Sequence, residues 1–135
     1  MIIVDENLND QRLMGAIAVW FPGQVVSITS LRLRSKVLDE VIPTLLHNAV
    51  QPTFVTINVS DFLKKMQPHA GHCIVAVASS EKHAHKVVPT LLRRLLSLSD
   101  FKTKALRMGK IIHIIQNHIE YYERDRRIHS LQWPD

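Results

Sequence analysis

The chain has 135 residues, 46% of them hydrophobic, and carries 17 Lys and Arg against 12 Asp and Glu for a net charge of +5. This is enough chain and enough apolar material for one globular domain over 1–135, and the basic balance admits a polyanionic partner without demanding one. No apolar run approaches the roughly eighteen residues that cross a bilayer, and Asp5, Glu6, Asp10 and Arg12 are out of place in a secretory signal, so the chain reads as cytoplasmic with no membrane contact.

"MIIV" opens the chain as a short strand. Asn7 or Asn9 then suits the cap of a helix through "DQRLMGAIAVWF", where Leu13, Ile17 and Trp20 recur at helical spacing until "PG" stops it. "QVVSI" is a second strand. The polar stretch "TSLRLRSK" leads into a helix over "VLDEVIPTLLHNAV", with Leu38, Ile42, Leu45, Leu46 and Ala49 on one face and Pro43 early, where a missing N–H costs little. "TFVTI" makes a third strand, followed by a short helix or turn in "NVSDFLKKM", and "HCIVAVA" makes a fourth. The single cysteine, Cys73, lies in that last run and reads as core. A long amphipathic helix over 82–98 and a shorter one in "SDFKTKALRM" follow. "KIIHII", a turn at "QNH", and "IEYY" read as a terminal hairpin or extended pair. Residues 124–135 read as a charged tail that Trp133 anchors to the body or to a neighbouring subunit.

Alternating strands and helices indicate an α/β fold of three layers, a mostly parallel sheet flanked by helices. Ligand sites in such sheets lie at the carboxyl ends of the strands. Asp5 and Glu6 follow the first strand directly, Asn58 and Asp61 follow the third, and Asp39 opens the second helix, so three carboxylates and an amide have a route to one edge. Crowded carboxylates repel one another unless a cation neutralises them, and Mg²⁺ or Mn²⁺ suits an all-oxygen set and bridges to phosphate. The same residues also read as ordinary caps: Asp39 as a first-turn acid, Asp61 as the cap of "FLKKM". None of the eight histidines falls into a recognised zinc spacing, "HAGHC" and "KHAHK" being the nearest approaches.

The succession "IIVDENL", "LRLRSKVLDEVI" and "FVTINVSDF" resembles the small PIN-like nuclease domains, in the toxin-like subgroup whose first strand ends in Asp-Glu-Asn. The resemblance covers about the first half of the chain. It implies a three-layer PIN-like fold and a ribonuclease that hydrolyses RNA with Mg²⁺ or Mn²⁺, as the toxin of a toxin–antitoxin pair. By position it implies Asp5, Asp39 and Asp61 as catalytic metal ligands with Asn58 assisting. Thr56 would hold the loop, Phe62 would pack beneath it, and Glu6 and Asn7 would support the site or cap a helix. A small antitoxin and a homodimer are the partners it implies, with the apolar face of the 82–98 helix as one contact surface. The chain departs from the pattern at Asn58, where an aspartate is usual, and its final Asp-Phe comes one residue late. An asparagine still ligates through its carbonyl but removes a charge, which implies weaker metal affinity and, as the alternative, a module that binds RNA or a protein without cutting.

Arg32, Arg34 and Lys36 alternate along "LRLRSK", so an extended segment projects all of them to one side, and Lys64 and Lys65 flank Asp61. These are the candidate phosphate-backbone contacts, read equally as a solvated basic loop. A phosphoacceptor domain of receiver type is a third reading of "IIVDE", weakened because "FVTI" runs into Asn58 and not into an aspartate.

Overall fold

A computed structural model describes residues 1–31, 42–60, 66–115 and 117–134. Strands β1 (Ile2–Val4), β2 (Val25–Ser27), β3 (Thr53–Thr56), β4 (Cys73–Val77), β5 (Ile111–Ile114), β6 (His118–Tyr122) and β7 (His129–Gln132) form one sheet in the order β2-β1-β3-β4-β5-β6-β7. β1 to β5 run parallel, with Ile3 opposite both Val26 and Phe54, and Val75 between Val55 and Ile112. β6 and β7 add antiparallel strands at one edge. β1, β3 and β4 are buried throughout, which explains why they read as unbroken apolar runs.

The two-residue period of a strand sorts these side chains into two cores. On one side Ile2, Val4, Val55 and Val75 meet α1 (Gln11–Ala18) and α3 (Ala84–Leu96) through Leu13, Ile17, Val88 and Leu92. On the other, Ile3, Phe54 and Ile74 meet α2 (Ile42–His47) through Ile42 and Leu46. The result is an α/β arrangement of three layers, mostly parallel, as the alternation of elements implied. No helix among the described residues is long and apolar enough to cross a membrane.

Three details differ from the sequence reading. The cap of α1 is Asp10, whose carboxylate accepts the Arg12 N–H, and not Asn7 or Asn9. The helix simply starts later than those residues, and the Arg12 guanidinium holds the Asp10 carboxyl below its usual range. Second, the apolar face of the 82–98 helix is no docking surface: Val88, Leu92 and Leu95 are fully buried in the chain's own core, packed with α1. Third, the tail is only partly a charged extension. Ile119 and Tyr121 of β6 pair with Leu131 and His129 of β7, and the Arg94 guanidinium lies 4.4 Å over the Trp133 ring. Trp133 does anchor the tail to the body.

A short helix, α4 (Lys104–Arg107), precedes β5. Its Arg107 is buried, with Nε donating to the Thr53 hydroxyl at 3.1 Å and Nη1 to the carbonyls of Phe101 and Lys102 at 3.0 and 3.2 Å. Gly109 then turns the chain at φ +85, and its N–H donates to the His72 carbonyl at 2.9 Å. A side chain disfavours that left-handed backbone, so Gly109→Ala is expected to cost about 1 kcal/mol or more, read as a lowered urea midpoint with unchanged slope.

Candidate functional site

In this strand order the chain steps from β1 outward to β2, then returns to β3 on the other side of β1. That reversal makes the carboxyl ends of β1 and β3 the place where the connecting loops part and a crevice opens. Asp5 leaves β1 there, only 6% exposed. Its N–H continues the ladder to the Val55 carbonyl at 2.9 Å, which holds it level with the end of β3.

The side chain of Asp5 is gripped from two directions. Oδ1 accepts the Glu6 N–H at 2.8 Å, capping a 3-10 turn over Glu6–Leu8. Oδ2 accepts the hydroxyl of Thr56, 51 residues away in sequence, at 2.7 Å. The same Thr56 oxygen accepts the Asn58 N–H at 3.0 Å, so the β3 loop is tied through Thr56 to the β1 carboxylate. Leu8, fully buried, pins the far end of the turn. A buried carboxylate is costly without donors, and these two supply them.

The Thr56 hydroxyl is therefore expected to matter for stability. Thr56→Val leaves the Asn58 N–H and one Asp5 oxygen short of this partner, at a cost of about 1–3 kcal/mol. Thr56→Ser is expected to keep most of that stability in the same urea titration. Equal losses in both would show that the methyl group, not the hydroxyl, is what β3 needs.

Of the residues marked from sequence, Asp5, Thr56 and Asn58 come together, joined by direct hydrogen bonds. Glu6 contributes its backbone N–H, and Asn7 is an exposed residue of the same turn. Asp39, Asp61, Phe62, Arg32, Arg34, Lys36, Lys64 and Lys65 lie outside the described residues.

Two neighbourhoods were not singled out by sequence. Beside β3, where β4 ends and α3 begins, a groove of about 530 Å³ is lined by Ser79, Ser80, His83 and Lys86. Ser80 Oγ and His83 Nδ1 are 2.9 Å apart, and Lys86 is exposed. The only sequence signal was the polar loop "ASSEKHAHK" at a strand's carboxyl end. A larger hollow, about 620 Å³, includes Arg93, Lys102, Lys104 and Arg107 in its wall, with no acidic residue among its described lining. The histidines of "HAGHC" meet His47 at the amino edge of β4. Those of "KHAHK" belong to no such cluster among the described residues.

No protein-family model matches the chain, and no curated protein or solved structure matches it. The functional reading therefore rests on the residues and their geometry.

Proposed function

We propose that the chain is a metal-dependent ribonuclease of PIN-like type, acting in a toxin–antitoxin pair. The observation that carries this reading is the buried Asp5 carboxylate at the β1–β3 switch point, oriented by Thr56 from the neighbouring strand. The oxygen donors brought together there are the Asp5 carboxylate and the Thr56 hydroxyl, and the side-chain carbonyl of Asn58 is proposed to join them. Such a set fits Mg²⁺ or Mn²⁺ far better than a softer ion. Asp39 and Asp61 are proposed to complete it from the adjoining segments. When bound, the ion would supply an activated water and neutralise charge on the scissile phosphate.

The chain's own work is positional. The Glu6 N–H and the Thr56 hydroxyl hold the carboxylate in one rotamer, and the Asn58 N–H fixes the hydroxyl's lone pair so that its proton points to Asp5. Lys86 and His83 in the adjacent groove, with Arg32, Arg34, Lys36 and Lys64, are proposed to hold the RNA phosphates. A protein antitoxin and a second copy of the chain are proposed partners, engaging a surface other than the buried face of α3.

A second reading has its own observation. The exposed cations Arg93, Lys102 and Lys104 around the basic hollow offer a polyanion site that needs no divalent ion, as expected of a module that binds RNA without cutting. Both readings are tested with a fluorophore-labelled single-stranded RNA, scored for cleavage and for binding in Mn²⁺ and in EDTA. Cleavage that EDTA abolishes supports the nuclease. Binding that survives EDTA with no cleavage supports the module, and neither activity refutes both.

A further inference from the structure

We propose that His47, His69 and His72 form a second metal site, for a zinc-type divalent ion held by imidazole nitrogen, at the amino edge of the sheet. His47 is the last residue of α2, and His69 and His72 lie in the loop that enters β4 at Cys73. One ring nitrogen from each of the three lies within 4.8 Å of the others. The ring centroids of His47 and His69 are 4.0 Å apart, and His72 is 5.8 and 5.4 Å from them.

His72 is the decisive residue. It is 2% exposed, and among the described residues neither Nδ1 nor Nε2 has a hydrogen-bond partner. A buried polar side chain with both nitrogens unmet is rare and calls for a ligand, since even one partner would relieve it. Its ring stands beside those of His47 and His69, so its unmet nitrogens share one space with theirs. Its backbone is fixed at both ends, the N–H donating to the His69 carbonyl at 3.2 Å and the carbonyl accepting from Gly109.

The other two ligands have room to adjust. Tetrahedral zinc with bonds near 2.0–2.1 Å requires nitrogens about 3.4 Å apart, so the cluster must contract by an ångström or so around the ion. His47 and His69 are both exposed, one at a helix end and one in a loop, so their side chains are the ones with space to move. His69 Nδ1 now accepts the Gly71 N–H at 2.9 Å, and an ion claiming that ring's lone pair displaces this bond. Three imidazoles with no carboxylate among them select Zn²⁺, Co²⁺, Ni²⁺ or Cu²⁺ over Mg²⁺ or Mn²⁺, and leave a fourth position for water or an outside ligand. This site lies at the opposite end of the strands from Asp5, so it is independent of the nuclease reading.

The test is a Zn²⁺ titration of the EDTA-stripped full chain, in competition with a chromophoric chelator, followed by the Co²⁺ absorption spectrum. One equivalent per chain and a tetrahedral Co²⁺ spectrum are expected. Losing an outer-shell partner already costs about 10–100-fold in metal affinity, so His47→Ala and His69→Ala are each expected to weaken binding by about a hundredfold. Both positions are exposed, so these variants keep the test valid even where the buried His72→Ala fails to fold. A His85→Ala variant, at a histidine outside the cluster, should bind as wild type does. No stoichiometric Zn²⁺ uptake, unchanged affinity in His47→Ala and His69→Ala, or an equal loss of binding in His85→Ala would each overturn the site.

Discussion

Asp5→Asn is expected to lower Mn²⁺-dependent RNA cleavage by about a hundredfold or more while leaving the fold intact. The substitution keeps the shape of the side chain and replaces one oxygen by an amide nitrogen. Asparagine still has a carbonyl for the Glu6 N–H, and the Thr56 hydroxyl can turn from donor to acceptor to meet the new NH₂. The hydrogen-bond frame therefore survives and the charge does not. A divalent ion at the proposed site would lose its buried anionic ligand, and with it the field that would hold it beside the phosphate. Single-turnover cleavage of a labelled RNA, measured beside the far-ultraviolet dichroism of each variant, separates chemistry from folding. A folded Asp5→Asn chain that cuts at the wild-type rate would remove Asp5 from the reaction and with it the proposed active site.

Phe54→Ala is expected to be the most damaging core substitution, at about 3–5 kcal/mol. Phe54 is fully buried at the middle of β3, with Ile3 beside it on β1 and Ile74 on β4. It belongs to the same cluster as Ile42 and Leu46 of α2 and Met66, so its removal opens a void at the junction of three strands and a helix. Closely packed neighbours pinned by a parallel ladder relax little into such a void. Against a typical total of about 5–15 kcal/mol, a loss of this size removes from about a fifth to nearly all of the stability. Val19, 86% exposed just after α1, provides the comparison: Val19→Ser should lie within about 0.5 kcal/mol of wild type. Urea unfolding of both decides it. A Phe54→Ala midpoint near that of Val19→Ser would mean that the face between β3 and α2 contributes little to stability.

By itself the sequence determined the local elements. "IIV", "TFVT" and "CIVAV" carry β-branched and apolar residues without interruption, which is what a strand buried on both faces needs, and each is a strand. The apolar spacing that placed Leu13 and Ile17 on one face, and Ile42 and Leu46 on another, holds in α1 and α2, and Cys73 is buried as its apolar setting implied. It also placed Asp5 and Thr56 at strand ends, where ligands are met. What tertiary structure alone decided is which of those ends are neighbours. Periodicity is a property of a few consecutive residues, whereas strand order depends on long-range packing of crossovers. Only the order β2-β1-β3 brings the Thr56 hydroxyl to Asp5. The edge strand β7 carries weak alternation in "HSLQ", with three of its four residues exposed, so it forms because β6 offers it a ladder. Arg107 was not singled out in "SDFKTKALRM", and its burial depends on oxygens that Thr53, Phe101 and Lys102 turn toward it. His47 stands more than twenty residues before His69, outside any ligand spacing a sequence displays, and joins it because α2 ends where the β4 loop begins.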